Sequence, residues 1–141
     1  MRYYIDTCIY INYWRHETSR KVAFWRVARR FFQYCWEDGH CLIVSPIVLK
    51  ELQGVLGHRT FQDKITIFHN DVFDHVSLAP RDYALARAIR HQSGCAISFG
   101  DCLHIVLAKK SASMLITRDR KLLHVAAWHG CVARTPEQAM R

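Results

Sequence analysis

Four carboxylates stand at corresponding places along the chain. Asp6 ends the apolar run Tyr3–Tyr4–Ile5, and Asp119 closes the run Leu115–Ile116–Thr117–Arg118. Glu51 follows the pair Ser45–Pro46 by five residues, and Asp101 sits in the stretch Ser98–Phe99–Gly100–Asp101. Each apolar run reads as a buried strand and each Ser-led stretch as the opening of a helix. A strand's carboxyl end and the next helix's amino end share one edge of a parallel sheet, where ligands bind. Four acids gathered there would repel one another and raise their pKa values unless a divalent cation neutralised them. Oxygen ligands suit Mg²⁺ or Mn²⁺. Such a cation lowers the pKa of a bound water and clamps the oxygens of a phosphodiester during in-line displacement. Asp6 and Asp101 are the expected direct ligands, with Glu51 and Asp119 acting directly or through water. The other eight acids, Glu17, Glu37, Asp38, Asp63, Asp71, Asp74, Asp82 and Glu137, read as solvated helix-face or loop residues.

The elements that must position these groups alternate strand and helix. Strands are expected at RYYIDT, HCLIVS, FDHVSL, SMLITRD and, more briefly, CVART. CIYINYWRH opens a short helix. Ser19–Glu37 gives a stronger helical pattern, with Phe24, Val27, Ala28, Phe31 and Cys35 on one face and Arg26, Arg30 and Gln33 on another. Ser45 and Pro46 start a third helix that Gly57 closes, which makes Gly54–Gly57 a cap and not the G-x-x-G clamp of an RNA-binding module. Helices are also expected at TFQDKITIFHN, RDYALARAIRHQ, ISFGDCLHIVLAKKSA and RKLLHVAAWHG. This alternation predicts an α/β fold with a mostly parallel sheet of four or five strands covered on both faces. No repeat, linker or low-complexity tract interrupts it, so residues 1–141 read as one domain.

Composition narrows the chemistry. Half the residues are apolar, as a folded globule requires. Twenty Lys and Arg against twelve Asp and Glu give a net charge of +8, favouring an anionic partner with nucleic acid foremost. Arg26, Arg29 and Arg30, beside Trp25 and Phe32, form one candidate phosphate-binding strip, or else a plain solvated helix face backed by core aromatics. The six cysteines contain no C-x-x-C pair and the nine histidines no H-E-x-x-H. The thiols therefore read as reduced and mostly buried, and most histidines as surface or satisfied core residues. No secretory signal or membrane-spanning run is apparent, so a cytoplasmic protein without a membrane partner is expected. A P-loop and a G-x-G-x-x-G fingerprint are both missing. A haloacid-dehalogenase-type phosphatase needs a second aspartate where Cys8 stands. A response-regulator receiver needs an acid after the middle strand, where Leu78, Ala79 and Pro80 stand.

The stretches IDTCIYINYW, SPIVLKEL, GDCLHIVLA and LITRDRKL resemble, in order and spacing, the acidic motifs of PIN domains, and the resemblance runs through nearly the whole chain. It implies a three-layer α/β/α PIN-like fold and a metal-dependent endoribonuclease acting on RNA. Carried over by position, the metal-binding acids are Asp6, Glu51, Asp101 and Asp119, and Thr7 and Thr117 are hydroxyls that support them. The sequence departs at Cys8, where the family more often has Asn or Ser. A compact chain of this length resembles the VapC-type toxins of toxin–antitoxin pairs, which implies a homodimer restrained by an antitoxin protein. The same residues would serve a housekeeping RNA-processing nuclease. A PIN-fold binding module without catalysis is the alternative from another class, although it has no need of four mutually repelling acids.

Overall fold

The computed structural model describes residues 1–141. Five strands form one wholly parallel sheet: β1 (Arg2–Ile5), β2 (Cys41–Val44), β3 (Phe73–His75), β4 (Met114–Ile116) and β5 (Ala133–Arg134). Their order is β3-β2-β1-β4-β5. The chain leaves β1 toward β2 on one side and returns to β4 on the other, so the order reverses at β1. That reversal opens the crevice in which open α/β sheets bind ligands.

β1 is central, and Tyr3, Tyr4 and Ile5 are all buried. Successive strand residues face opposite sides. Tyr3 meets Phe31 edge-on at 5.3 Å between ring centroids, and Tyr4 meets His104 at 5.5 Å. Phe31 lies on α2 (Phe24–Glu37) and His104 on α6 (Phe99–Lys110), so these two helices cover opposite faces. The result is the three-layer α/β/α arrangement expected for the PIN-like fold. A continuous apolar core of 32 buried residues runs through the layers. α6 is buried from Cys102 to Ala108 without a break, as a helix enclosed on all sides must be.

The remaining elements are α1 (Thr7–Trp14), α3 (Pro46–Leu56), α4 (His58–Lys64), a 3₁₀ turn at Ile65–His69, α5 (Pro80–Gln92), α7 (Arg120–Trp128) and α8 (Pro136–Ala139). No helix is long and apolar enough to cross a membrane. Gly57, at φ +80°, closes α3 as expected. All six cysteines are free thiols, with Cys35, Cys102 and Cys131 buried and Cys95 exposed.

Three local expectations need correction. The second helix begins at Phe24, because Arg20 and Lys21 adopt φ of +47° and +66° inside a tight Ser19–Val22 turn. The segment 58–69 breaks into α4 and a 3₁₀ turn, and α8 had no counterpart among the expected elements. Asp82 is not a solvated face residue: it is 4% exposed. Its Oδ2 accepts from the Ala79 backbone N–H at 2.7 Å, capping α5, and pairs with Lys110 Nζ at 2.9 Å. Asp82→Ala removes the cap and the ion pair, leaving Lys110 only its hydrogen bond to the Ser77 carbonyl. It is expected to cost about 1–2 kcal/mol, read as a lower urea midpoint at unchanged slope.

Candidate metal centre

Asp6 follows β1 directly. Register places Ile5 beside Ile116, which brings Thr117 beside Asp6 although 111 residues separate them. Thr117 Oγ1 donates to Asp6 Oδ2 at 2.6 Å and accepts from the Asp119 backbone N–H at 3.1 Å. One buried hydroxyl thus ties the end of β1 to the start of α7. Cys8 Sγ also donates to Asp6 Oδ2, at 3.3 Å, filling the role that an Asn or Ser would have. Burial, and then the Asp6 charge, push the Cys8 thiol well above its ordinary pKa, so it remains a protonated donor.

Glu51 reaches the same edge from α3. Ser45 caps that helix by accepting from the Val48 N–H at 3.2 Å, with Pro46 in its first turn. Glu51 Oε1 then receives two donors, Thr7 Oγ1 at 2.8 Å and His104 Nε2 at 2.6 Å. Nothing donates to Oε2. It borders Gly100, where an added Cβ would lie 3.3 Å away. Burial alone would raise the Glu51 carboxyl. The hydrogen bonds from His104 and Thr7, with the His104 charge, bring it below the usual range.

His104 is the candidate site residue that the sequence did not announce. It is fully buried on α6, with Nδ1 2.8 Å from Tyr4 Oη, which is itself 2.6 Å from Ser45 Oγ. Nε2 stands 2.6 Å from Glu51 and 3.6 Å from Asp6 Oδ1. Burial disfavours its charged form, yet Tyr4, Glu51 and Asp6 outweigh burial and hold its pKa well above the ordinary value. Asp6, Glu51 and His104 each offer a ligand atom within 4.8 Å of the others'. One signal was available: residue 104 is three positions after Asp101, hence one turn along the same helix face.

Asp101 and Asp119 lie outside that tightest group. Asp101 sits in the first turn of α6, whose Ser98 cap accepts from the Asp101 backbone N–H at 3.1 Å. Burial raises the Asp101 carboxyl, with further upward pressure from Asp6 and Asp119, so these acids share one field. Asp119 caps α7, its Oδ1 accepting from the N–H groups of Lys121 and Leu122 at 2.9 and 3.1 Å. Its other oxygen has no donor. Arg26, Arg29 and Arg30 are exposed on α2, and the Arg26 guanidinium rests 5.1 Å from the Trp25 ring centre. Phe32 is half-buried and packs against the core, stacking on Tyr10 at 5.4 Å.

The raised Asp101 carboxyl has a linkage consequence. Between the ordinary aspartate range near about 4 and its own higher value, the folded state binds more protons than the unfolded state. Ionised Asp101 therefore destabilises the metal-free protein at neutral pH. Asp101→Asn is expected to raise the melting temperature at pH 7 in a chelator. The gain should shrink as pH falls through the Asp101 pKa and vanish below about 4. Thermal melts across pH check this.

Comparison with known proteins fits this geometry. The sequence profile of the PIN domain matches residues 3–127. None of the curated proteins matches in sequence. Among solved structures, VapBC2 from Rickettsia felis, determined bound to a promoter DNA fragment, superposes with a TM-score of 0.70 at 19% identity, covering 96% of this chain and 98% of that one. VapBC-1 from nontypeable Haemophilus influenzae gives 0.67 at 16% identity, covering 97% and 99%. Mycobacterium tuberculosis VapC20, described as a toxin that cleaves the sarcin–ricin loop, gives 0.66 at 19% identity, covering 92% and 96%. With the profile spanning strands β1 to β4 and every acid of the site, the chain belongs to the PIN-domain family.

Proposed function

We propose that this chain is a Mg²⁺- or Mn²⁺-dependent endoribonuclease that hydrolyses RNA phosphodiester bonds, and that it is the toxin of a type II toxin–antitoxin pair. The observation that carries the nuclease reading is the state of the carboxylates. Asp6 and Glu51 each have one oxygen engaged by hydrogen-bond donors and one that accepts no hydrogen bond, that of Asp6 standing 3.6 Å from His104 Nε2, beside an Asp101 whose carboxyl is pushed up by burial and by Asp6. That donor set suits a hard divalent cation.

Asp6 and Glu51 would hold the cation through those oxygens, with Asp101 as the third acid and Asp119 acting directly or through water. When bound, the cation supplies Lewis acidity, making hydroxide available near neutral pH and neutralising phosphodiester oxygens. Thr117, Cys8 and Thr7 keep the two carboxylates from turning away. No Ser, Cys or His nucleophile is required, and Cys8 is unsuited to that part because its thiol stays protonated.

Asp6→Asn is expected to lower metal-dependent cleavage of labelled structured RNA by at least about a hundredfold, the several kcal/mol that Lewis-acid stabilisation is worth. The wild type should be silent in EDTA. Cleavage that persists in EDTA, or survives in Asp6→Asn, contradicts the reading.

The net charge of +8 would attract the RNA backbone, with Arg26, Arg29 and Arg30 as one contact strip. Replacing all three by Ala should weaken RNA binding and reduce the slope of log K against log salt by about 2, at roughly 0.7 per phosphate contact on a single strand. Filter binding at several salt concentrations checks it. The toxin assignment draws on likeness over nearly the full chain to proteins studied as VapBC pairs. It carries with it a cytoplasmic homodimer and an antitoxin partner.

A further inference from the structure

His104 is more than the metal chemistry of a carboxylate site requires. Its imidazole is wholly buried and fixed at both nitrogens, by Tyr4 Oη behind and Glu51 Oε1 in front. Tyr4 is fixed in turn by Ser45, the residue that caps the helix carrying Glu51. The side chains form a closed path: Ser45 starts α3, α3 presents Glu51, and Glu51 is met by His104, which Tyr4 connects back to Ser45. Apolar side chains surround this path, since Ile105, Leu107 and Leu103 are all buried on the same helix. A polar chain in such a place is stable only when each member is satisfied.

The distances separate two roles that His104 could have. Two atoms bound side by side on an octahedral cation at about 2.1 Å lie about 3 Å apart. Nε2 and Glu51 Oε1 are 2.6 Å apart, the spacing of a strong hydrogen bond to a carboxylate. Nε2 therefore points its N–H at Glu51, and Tyr4 keeps the ring from sliding away. With Thr7 also on Oε1, that oxygen is fully engaged, and Oε2 is the atom left over. Gly100 carries no Cβ to crowd it.

We propose that His104 is a positioning residue of the metal centre: held by Tyr4 and Ser45, it locks Oε1 of Glu51 so that only Oε2 is presented to the divalent cation. This rests on the metal-nuclease reading above and extends it to a residue that is not itself a ligand. Partners of this kind, acting through the ligand they orient, change metal affinity by about 10–100-fold when removed.

The test is Mn²⁺ binding by isothermal titration calorimetry, with no RNA present, to the full chain and its variants. His104→Leu should weaken binding about 10–100-fold. His104→Gln, whose amide N–H reaches toward the place of Nε2, should recover most of it. In a Glu51→Gln background, His104→Leu should produce no further loss, because the histidine acts through that carboxylate. If His104→Leu does not fold, His104→Gln and Tyr4→Phe carry the test; Tyr4→Phe should weaken binding and His104→Gln largely preserve it. Wild-type affinity in whichever of His104→Leu and Tyr4→Phe folds, with Glu51→Gln weakened, overturns the proposal and leaves the nuclease reading intact. Additive losses from Glu51→Gln and His104→Leu overturn it in favour of direct ligation. A wild-type chain that binds no Mn²⁺ overturns the nuclease reading itself, and this proposal with it.

Discussion

Two carboxylates, one directly after strand β1 and one on helix α3, meet at one edge of the sheet, and each must be kept from turning away from the other. Like charges so placed disfavour each other's ionised form. The fold meets this by giving one oxygen of each carboxylate to fixed donors: Thr117 and Cys8 to Asp6, Thr7 and His104 to Glu51. The donors come from α1, α6 and the turn after β4, so the site holds only while those elements stay in register. Asp101 lacks a comparable set of donors, and burial, followed by the charges of Asp6 and Asp119, pushes its carboxyl up. On the proposed function, a cation would offset that asymmetry.

The parallel sheet makes the arrangement possible. β1 lies between β2 and β4, so Asp6 emerges at the one place where chain crossovers diverge to opposite sides. The following helices begin along that edge with capped N-termini: Ser45 for α3, Ser98 for α6 and Asp119 for α7. Asp119 caps α7 through Oδ1, so that oxygen is not free for a cation. Any part it takes in metal binding falls to its second oxygen, a narrower part than an uncommitted ligand has.

Much of this was legible in the sequence because its signals are local. An aspartate after an apolar strand, a Ser–Pro pair before a helix and a glycine after one are fixed by residues within a turn of one another. Asp6, Asp101 and Asp119 therefore fall at the expected element ends, whereas Glu51, expected near the start of its helix, lies at the middle of α3. His104 did not stand out because its meaning depends on Tyr4, 100 residues earlier, and Glu51, 53 residues earlier. Within GDCLHIVLA it looks like one polar residue in an apolar helix. Asp82 was misread for the same reason: its cap with Ala79 is local, but its ion-pair partner, Lys110, lies 28 residues later. The late start of α2 turns on the backbone of Arg20 and Lys21, whose side chains give no sign of positive φ.

The central claim is that these side chains form a cation site at the carboxyl edge of β1. A crystal grown with Mn²⁺, with data collected at the manganese absorption edge, tests it most directly. The account predicts an anomalous peak bound by Asp6 Oδ1, Glu51 Oε2 and Asp101, with His104 Nε2 remaining on Glu51 Oε1. A peak elsewhere on the molecule, or none at this edge at saturating Mn²⁺, would contradict it.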